Sequence, residues 1–197
     1  MPSVFARTFA FARRAAGRGV LARFRRDQKG ATAVEFALVA VPFFALMFAI
    51  IETALLFFAD QTFDTAVSSA ARLIRTGQAQ EAGMSASAFK TAICNPDLTQ
   101  DRSGLGALFD CSKIKVDVKT YLNFTDIDLT APIDPITKQL NVTENYQPGD
   151  GGNIVVVRAY YEWPTLVPGL GNNLADMPNG TRLLVATAAF RNEPFSW

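Results

Sequence analysis

Residues 28–58 read QKGATAVEFALVAVPFFALMFAIIETALLFF. From Phe36 to Phe58 the run covers 23 positions, and only Glu52 and Thr53 interrupt its apolar character. At about 1.5 Å of rise per residue, such a run is long enough to cross hydrocarbon about 30 Å thick. The apolar core of a cleaved secretory signal is shorter, about 7 to 15 residues. The small residues from Ser68 to Ala71 also lie too far downstream to serve as its cleavage site. The stretch therefore reads as a transmembrane helix over residues 31–59.

Charge orients that helix. Residues 1–30 carry eight basic residues against one acid, a balance of +7, whereas the other 167 residues balance to −6. Basic flanks remain on the cytoplasmic side of a first membrane segment, so the N-terminus is expected inside and everything after about residue 60 outside. Phe5, Phe9, Phe11, Val20 and Leu21 lie among the arginines of this basic leader. That mixture suits a surface-bound amphipathic helix, and it equally suits an unstructured basic tail.

Glu35 lies where hydrocarbon begins. An acid at the centre of a bilayer costs roughly 2.5 to 3.5 kcal/mol even on insertion scales, so this carboxylate calls for a partner. Glu52 follows seventeen residues later, about 25 Å along a helix. It either reaches the outer interface or meets a polar group on a partner helix. Pro42 removes one helical donor, and a bend near Leu38 is expected from it, serving as a hinge or as a tolerated static kink.

Helical periodicity continues past the apolar run. Phe63, Ala66, Val67, Ala70 and Ile74 recur at helical spacing, and Gly77 is placed to cap the end. One helix from about 31 to 76, roughly 70 Å long, is expected, amphipathic over residues 60–77. Ser85 and Pro96 bracket a second, short helix over Ser85–Ile93.

Three strands are expected after it. Lys113–Phe124 alternates, with Ile114, Val116, Val118, Leu122 and Phe124 on the apolar face. Ile154–Trp163 is apolar enough to be central, and Arg182–Arg191 adds Leu184, Ala186, Ala188 and Phe190. Three antiparallel strands packed on the amphipathic half-helix make an α+β domain over residues 78–197, large enough for a core of its own.

Cys94 and Cys111, with sixteen residues between them, are expected to form a disulfide in an oxidising compartment, the rival being two buried thiols. Residues 125–152 and 164–180 are long connections rich in Pro, Gly, Asn and Asp, the kind that carries contacts or displays surface. Asp126, Asp128 and Asp150 invite a calcium reading but lack the ligand spacing of a recognised loop.

The absence of histidine removes Ser-His and Cys-His nucleophiles and histidine-ligated zinc. Neither a nucleophile elbow nor a phosphate loop occurs, and the Gly104-Leu-Gly106 pair is too weak to indicate a nucleotide site. A hydrolase built on carboxylates alone would need two acids paired in space, and nothing in the sequence pairs them. No enzyme, cofactor or metal is expected. Nucleic-acid binding is not expected either, because the basic patch is confined to the leader and its aromatics form no stacking platform.

The order of residues at the junction, basic stretch, Gly30, small residues, Glu35 fifth after the glycine and then an uncharged helix, resembles the processing and assembly site of type IV prepilins. The run from Gly30 through Glu35, the second acid in Ala49-Ile-Ile-Glu52 and the terminal Phe190-Arg-Asn-Glu-Pro-Phe195 together resemble the TadE family of tight-adherence pilus assembly proteins, pseudopilins or minor pilins of the Flp pilus system. The resemblance implies cleavage after Gly30 by a prepilin peptidase, a new amine on Ala31 and pairing of that amine with Glu35 of a neighbouring subunit. A leader of twenty-nine residues is long for the class. It further implies residence in a bacterial inner membrane with a periplasmic C-terminal domain, and other pilins, pseudopilins and the Tad secretion machinery as partners. The competing expectation is an uncleaved, single-pass periplasmic binding or sensing module.

Overall fold

A computed structural model of the chain describes residues 30–95, 105, 108–166 and 174–195. The basic leader and much of the connection after residue 166 lie outside the described residues, as do the expectations attached to them. Two compact units are present, Met1–Met47 and Phe48–Trp197. Helix α1, Ala31–Arg75, supplies all but one of the described residues of the first and the opening of the second. It is assigned as helix without interruption through Pro42.

In the first unit most side chains are apolar and exposed, Phe36 and Leu38 among the most so. α1 is long and apolar enough to cross a membrane, and its most apolar stretch is wholly unburied. That combination is consistent with a single-pass anchor, since a soluble core helix would bury the same side chains.

In the second unit α1 turns amphipathic. Ala59, Phe63, Ala66, Val67, Ala70, Ala71 and Ile74 are buried, and their spacing of three and four residues places them on one stripe. Five of these seven were expected from the sequence. Gly77, at φ 80°, ends the helix in the left-handed region, its N–H bonded to the Ile74 carbonyl at 3.1 Å. A single turn, α2 (Gln78–Glu81), follows directly. Next comes α3 (Ala86–Cys94), where the Ser85 hydroxyl accepts from the Ala88 N–H at 3.2 Å.

The sheet is antiparallel in the order β1 (Lys115–Tyr121), β2 (Ile154–Pro164), β3 (Thr181–Arg191). Val155, Val157, Ala159 and Tyr161 of β2, with Leu184 and Ala186 of β3, join the α1 stripe in one core. The expected α+β fold and the central place of β2 are thus present. β1 is shorter than the alternation suggested. It stops at Tyr121, which pairs with Ile154, the first residue of β2, so nothing remains opposite the next residues. Leu122 and Phe124 consequently lie outside the core, 88% and 52% exposed, and Lys113, the first residue of the expected strand, ends a 3-10 turn over Cys111–Lys113 instead.

The second face of β2 is also buried, which one-sided alternation did not anticipate. Ile154, Val156, Arg158 and Tyr160 are covered because the 122–153 connection folds over them. The Arg158 guanidinium donates to the carbonyls of Asp128, Leu129 and Thr130 at 3.3, 3.0 and 3.0 Å. Residues 144–147 then run beside β1. The Val118 N–H donates to the Asn145 carbonyl and the Gln147 N–H to the Val118 carbonyl. Asp117, assigned from sequence to the exposed face, is buried there and accepts from the Asn145 amide at 2.7 Å. The acids of the calcium reading are used in turns instead. Asp128 accepts from the Thr130 N–H at 2.8 Å, and hydrogen bonding from Thr130 holds its carboxyl below the ordinary carboxylate range.

Cys94 and Cys111 are joined, with their Cα atoms 6.0 Å apart. The bridge ties the end of α3 to the turn that carries Phe109, whose ring lies 4.9 Å from Tyr161 and 5.5 Å from Phe63. Replacing both cysteines by serine in the full-length protein should lower the stability of the second unit by about 3 kcal/mol on the loop-entropy model. Thermal unfolding followed by circular dichroism, with and without reductant, checks this. The wild type should lose stability on reduction and the double variant should not respond.

Candidate functional site

The residues singled out by the sequence fall at two places, and each belongs to a different compact unit. Gly30 immediately precedes α1 and is exposed. A Cβ built on it would meet nothing within 4 Å, so no described residue packs against Gly30. Glu35 lies four residues into α1, one helical turn from Ala31 and on the same side. It is exposed and makes no ion pair among the described residues. The first unit therefore presents an exposed glycine ahead of α1 and an exposed carboxylate one turn beyond Ala31.

Glu52 belongs to the second unit and behaves differently. It is 8% exposed, and its Oε1 accepts the Leu166 N–H at 2.7 Å. The two residues are 114 positions apart in the chain. Sequence reasoning offered an outer interface or a partner helix; the structure supplies an intrachain donor just beyond the end of β2. A charged acceptor makes such a bond stronger than a neutral one. Thr53, the other polar residue of the run, returns its hydroxyl to the Ala49 carbonyl at 2.8 Å, which satisfies it within the helix.

The terminal segment that entered the resemblance also has a defined place. The Glu193 N–H donates to the Arg75 carbonyl at 2.9 Å, capping the last turn of α1. Asn192, 2% exposed, donates through Nδ2 to the carbonyls of Pro148 and Asp150 at 2.9 and 3.0 Å. Gly151 is closely approached by this segment: a Cβ there would lie 2.6 Å from the Phe195 carbonyl oxygen. Asn192 was not singled out from the sequence. Only a buried asparagine beside a strand end signals it, and a linear pattern does not reveal burial.

A cleft of about 350 Å³ opens beside α3, lined in part by Ser87, Lys90, Val116, Glu144 and Tyr146. Lys90 pairs with Glu144 across 3.6 Å, and the Glu144 carboxylate also accepts the Val116 N–H at 3.2 Å. Among the described residues no three histidine, cysteine, aspartate or glutamate side chains converge to hold a metal ion.

These features define a class: one long apolar helix of anchor type, with an accessible glycine and an acid at its start, leading into a small disulfide-bonded α+β unit. Residues 30–72 match the family model described as TadE-like protein, the family whose motif the junction resembles. The match covers 43 of the 197 residues and is a likeness of the helical stretch that begins at Gly30. No curated protein and no solved structure matches the chain.

Substituting Glu52 by alanine removes the acceptor from Leu166, so that amide should exchange with solvent about tenfold faster or more, given 1.5 to 3 kcal/mol for a hydrogen bond to a charged group. Glu52→Gln, which keeps a carbonyl acceptor, should fall between. Hydrogen exchange with mass spectrometry on the full-length protein in micelles reads this out, and unchanged exchange at Leu166 in the alanine variant would remove the role.

Proposed function

We propose that this chain is a membrane-anchored minor pilin or pseudopilin that takes part in assembling a Flp/Tad-type adhesive pilus. In this reading a prepilin peptidase cuts after Gly30, the basic leader is lost, and α1 holds the mature protein in the inner membrane with its α+β unit in the periplasm. The amine freed on Ala31 then pairs with Glu35 of a neighbouring pilin. A buried carboxylate is costly until it is paired, so the pairing fixes the axial register between neighbouring helices.

The observation that carries the reading is the junction itself: an exposed Gly30 and an exposed Glu35 without an ion-pair partner among the described residues, inside the stretch that matches the TadE-like model. Glu52 is assigned a different task from Glu35, because its carboxylate is buried against its own chain. The alternative of a ligand-sensing module gains little from the cleft beside α3. Its lysine is already neutralised by Glu144, which leaves little charge for an anionic ligand.

The test is the mature N-terminus. Intact-mass and N-terminal analysis of protein extracted from membranes that contain the peptidase should find a chain beginning at Ala31, and Gly30→Arg should retain the leader. Glu35→Ala should be cut normally yet be depleted from pili on the cell surface. A wild-type chain that still begins at Met1 in the presence of active peptidase would refute the processing step. Normal incorporation of the Glu35→Ala protein would refute the register step.

A further inference from the structure

The two outer edges of the sheet are treated unequally. On β1, residues 144–147 occupy the edge: the Glu144 carboxylate takes the Val116 N–H, and Asn145 and Gln147 bond both backbone groups of Val118. On β3 no described residue covers the middle of the edge. The Leu183 N–H is taken by the Asp176 carboxylate at 2.8 Å, and the Thr181 carbonyl by Asp176 and Met177, which shows that odd-numbered residues of β3 aim their backbone groups outward. Even-numbered residues face β2, as the Asn192 N–H does at 2.8 Å from the Asn153 carbonyl. The register to β2 runs one-to-one from Thr181 to Arg191 without a bulge. Val185, Thr187 and Ala189 therefore present three N–H and three C=O groups with no partner among the described residues, and all three side chains are exposed.

Natural sheets close such edges with charges, proline, bulges or a covering segment. Residues 183–190, Leu-Leu-Val-Ala-Thr-Ala-Ala-Phe, contain no charge and no proline. Among the described residues, one edge of this sheet is protected and the middle of the other is not.

We propose that the β3 edge receives an extended strand from a different polypeptide, added antiparallel to β3. Antiparallel addition is the more stable geometry per residue, and it gives affinity through main-chain bonds that do not depend on a particular partner sequence. A second copy of this chain is the wrong occupant for that geometry. Leu56, Phe57 and Asp60 of α1 lie beside Arg182–Leu184, whereas Arg75 meets Glu193, so β3 runs in the same sense as α1. Copies whose apolar residues 48–58 share one bilayer in one orientation present their β3 strands pointing the same way. Antiparallel β3–β3 pairing would invert one anchor. Charge supplies the remaining specificity. Arg191 lies on the same face as Val185, Thr187 and Ala189, is exposed, and has no carboxylate partner among the described residues. The incoming strand accordingly carries an acid opposite Arg191 and small or β-branched residues opposite the other three.

The choice of a different polypeptide rests on membrane anchoring but not on cleavage after Gly30, so a retained leader leaves it standing and its own failure leaves processing untouched. The test compares single-amide hydrogen exchange of the full-length protein in native membranes of the producing cell with the same protein extracted and purified as single chains in detergent. In membranes the amides of Val185, Thr187 and Ala189 should exchange at least about tenfold more slowly than in detergent, and the inward amides of Leu184, Ala186 and Ala188 should be protected in both. Thr187→Pro deletes one outward donor at an edge position where proline is tolerated. It should abolish the membrane-dependent protection of Val185 and Ala189 while the inward amides stay protected. Should that variant lose the inward protection as well, Thr187→Lys, which places a charge on the edge, gives the same readout. Arg191→Glu should reduce the protection. Equal exchange in membranes and detergent overturns the proposal, as does protection that survives every edge variant. A disulfide between Thr187→Cys residues of two identical chains in membranes overturns the choice of a different polypeptide.

Discussion

The contact between the alanine-rich stripe of α1 and the inner face of β2 is the constraint on which the second unit depends. Three strands alone have two faces to hide and too little chain to hide them. α1 covers one face: Ala59, Ala66, Ala70 and Ala71, with the larger Phe63, Val67 and Ile74, are buried in one cluster with the strands. Full burial of each larger side chain is worth about 1.5 to 3 kcal/mol. The same helix is exposed and apolar at its start, so a single element must satisfy two solvents. Its sequence changes character accordingly: Phe, Leu and Ile on all sides in the first part, and a stripe of small residues backed by Asp60, Asp64, Arg72 and Arg75 in the second.

Once α1 has taken the inner face, the other face must be closed by something that is not regular structure. The 122–153 connection does this through backbone carbonyls presented to Arg158, a buried cation that would otherwise be a large cost. The ring of Tyr160 lies 5.2 Å from the same guanidinium and adds a cation–π contact. What looks in sequence like a long polar loop is thus a second covering layer. Two of its acids are spent on turns: Asp134 accepts from the N–H groups of Ile136 and Thr137, and Asp128 from that of Thr130.

Where local chemistry decides an element, the sequence was enough to read it. The 3.6-residue stripe of α1, the Gly77 stop, the Ser85 cap and the alternation in β2 and β3 each depend on neighbours within a few residues. Where a distant partner decides, the reading stopped short. β1 ends at Tyr121 because β2 begins at Ile154, and no feature near Leu122 announces that. Asp117 is buried by a segment 28 residues away, and Glu52 is matched to a donor 114 residues away. Charge on a helix can be recognised in sequence, but the identity of its partner is a tertiary fact. At the candidate site the same division holds: Gly30 and Glu35 form a local pattern, visible at once, whereas Asn192 acquires its importance only when the chain end returns to residues 148–151.

That return explains why a terminal motif can accompany an N-terminal one in this architecture. The last turn of a helix leaves carbonyls that need donors, and here the Glu193 N–H reaches the Arg75 carbonyl while the Glu193 carboxylate lies 3.7 Å from the Arg75 guanidinium. One residue earlier, Asn192 fastens the β1–β2 connection that covers the outer face, and Gln80 donates to the same Pro148 carbonyl at 3.0 Å. The end of α1, the start of β2 and the end of β3 therefore meet at one point, so a change at the C-terminus is felt by the helix and by the covering layer together. The opposite end of the sheet is fastened by Glu52, through Leu166 at the end of β2. Held at both ends against the same stretch of helix, the sheet has little freedom to slide along α1.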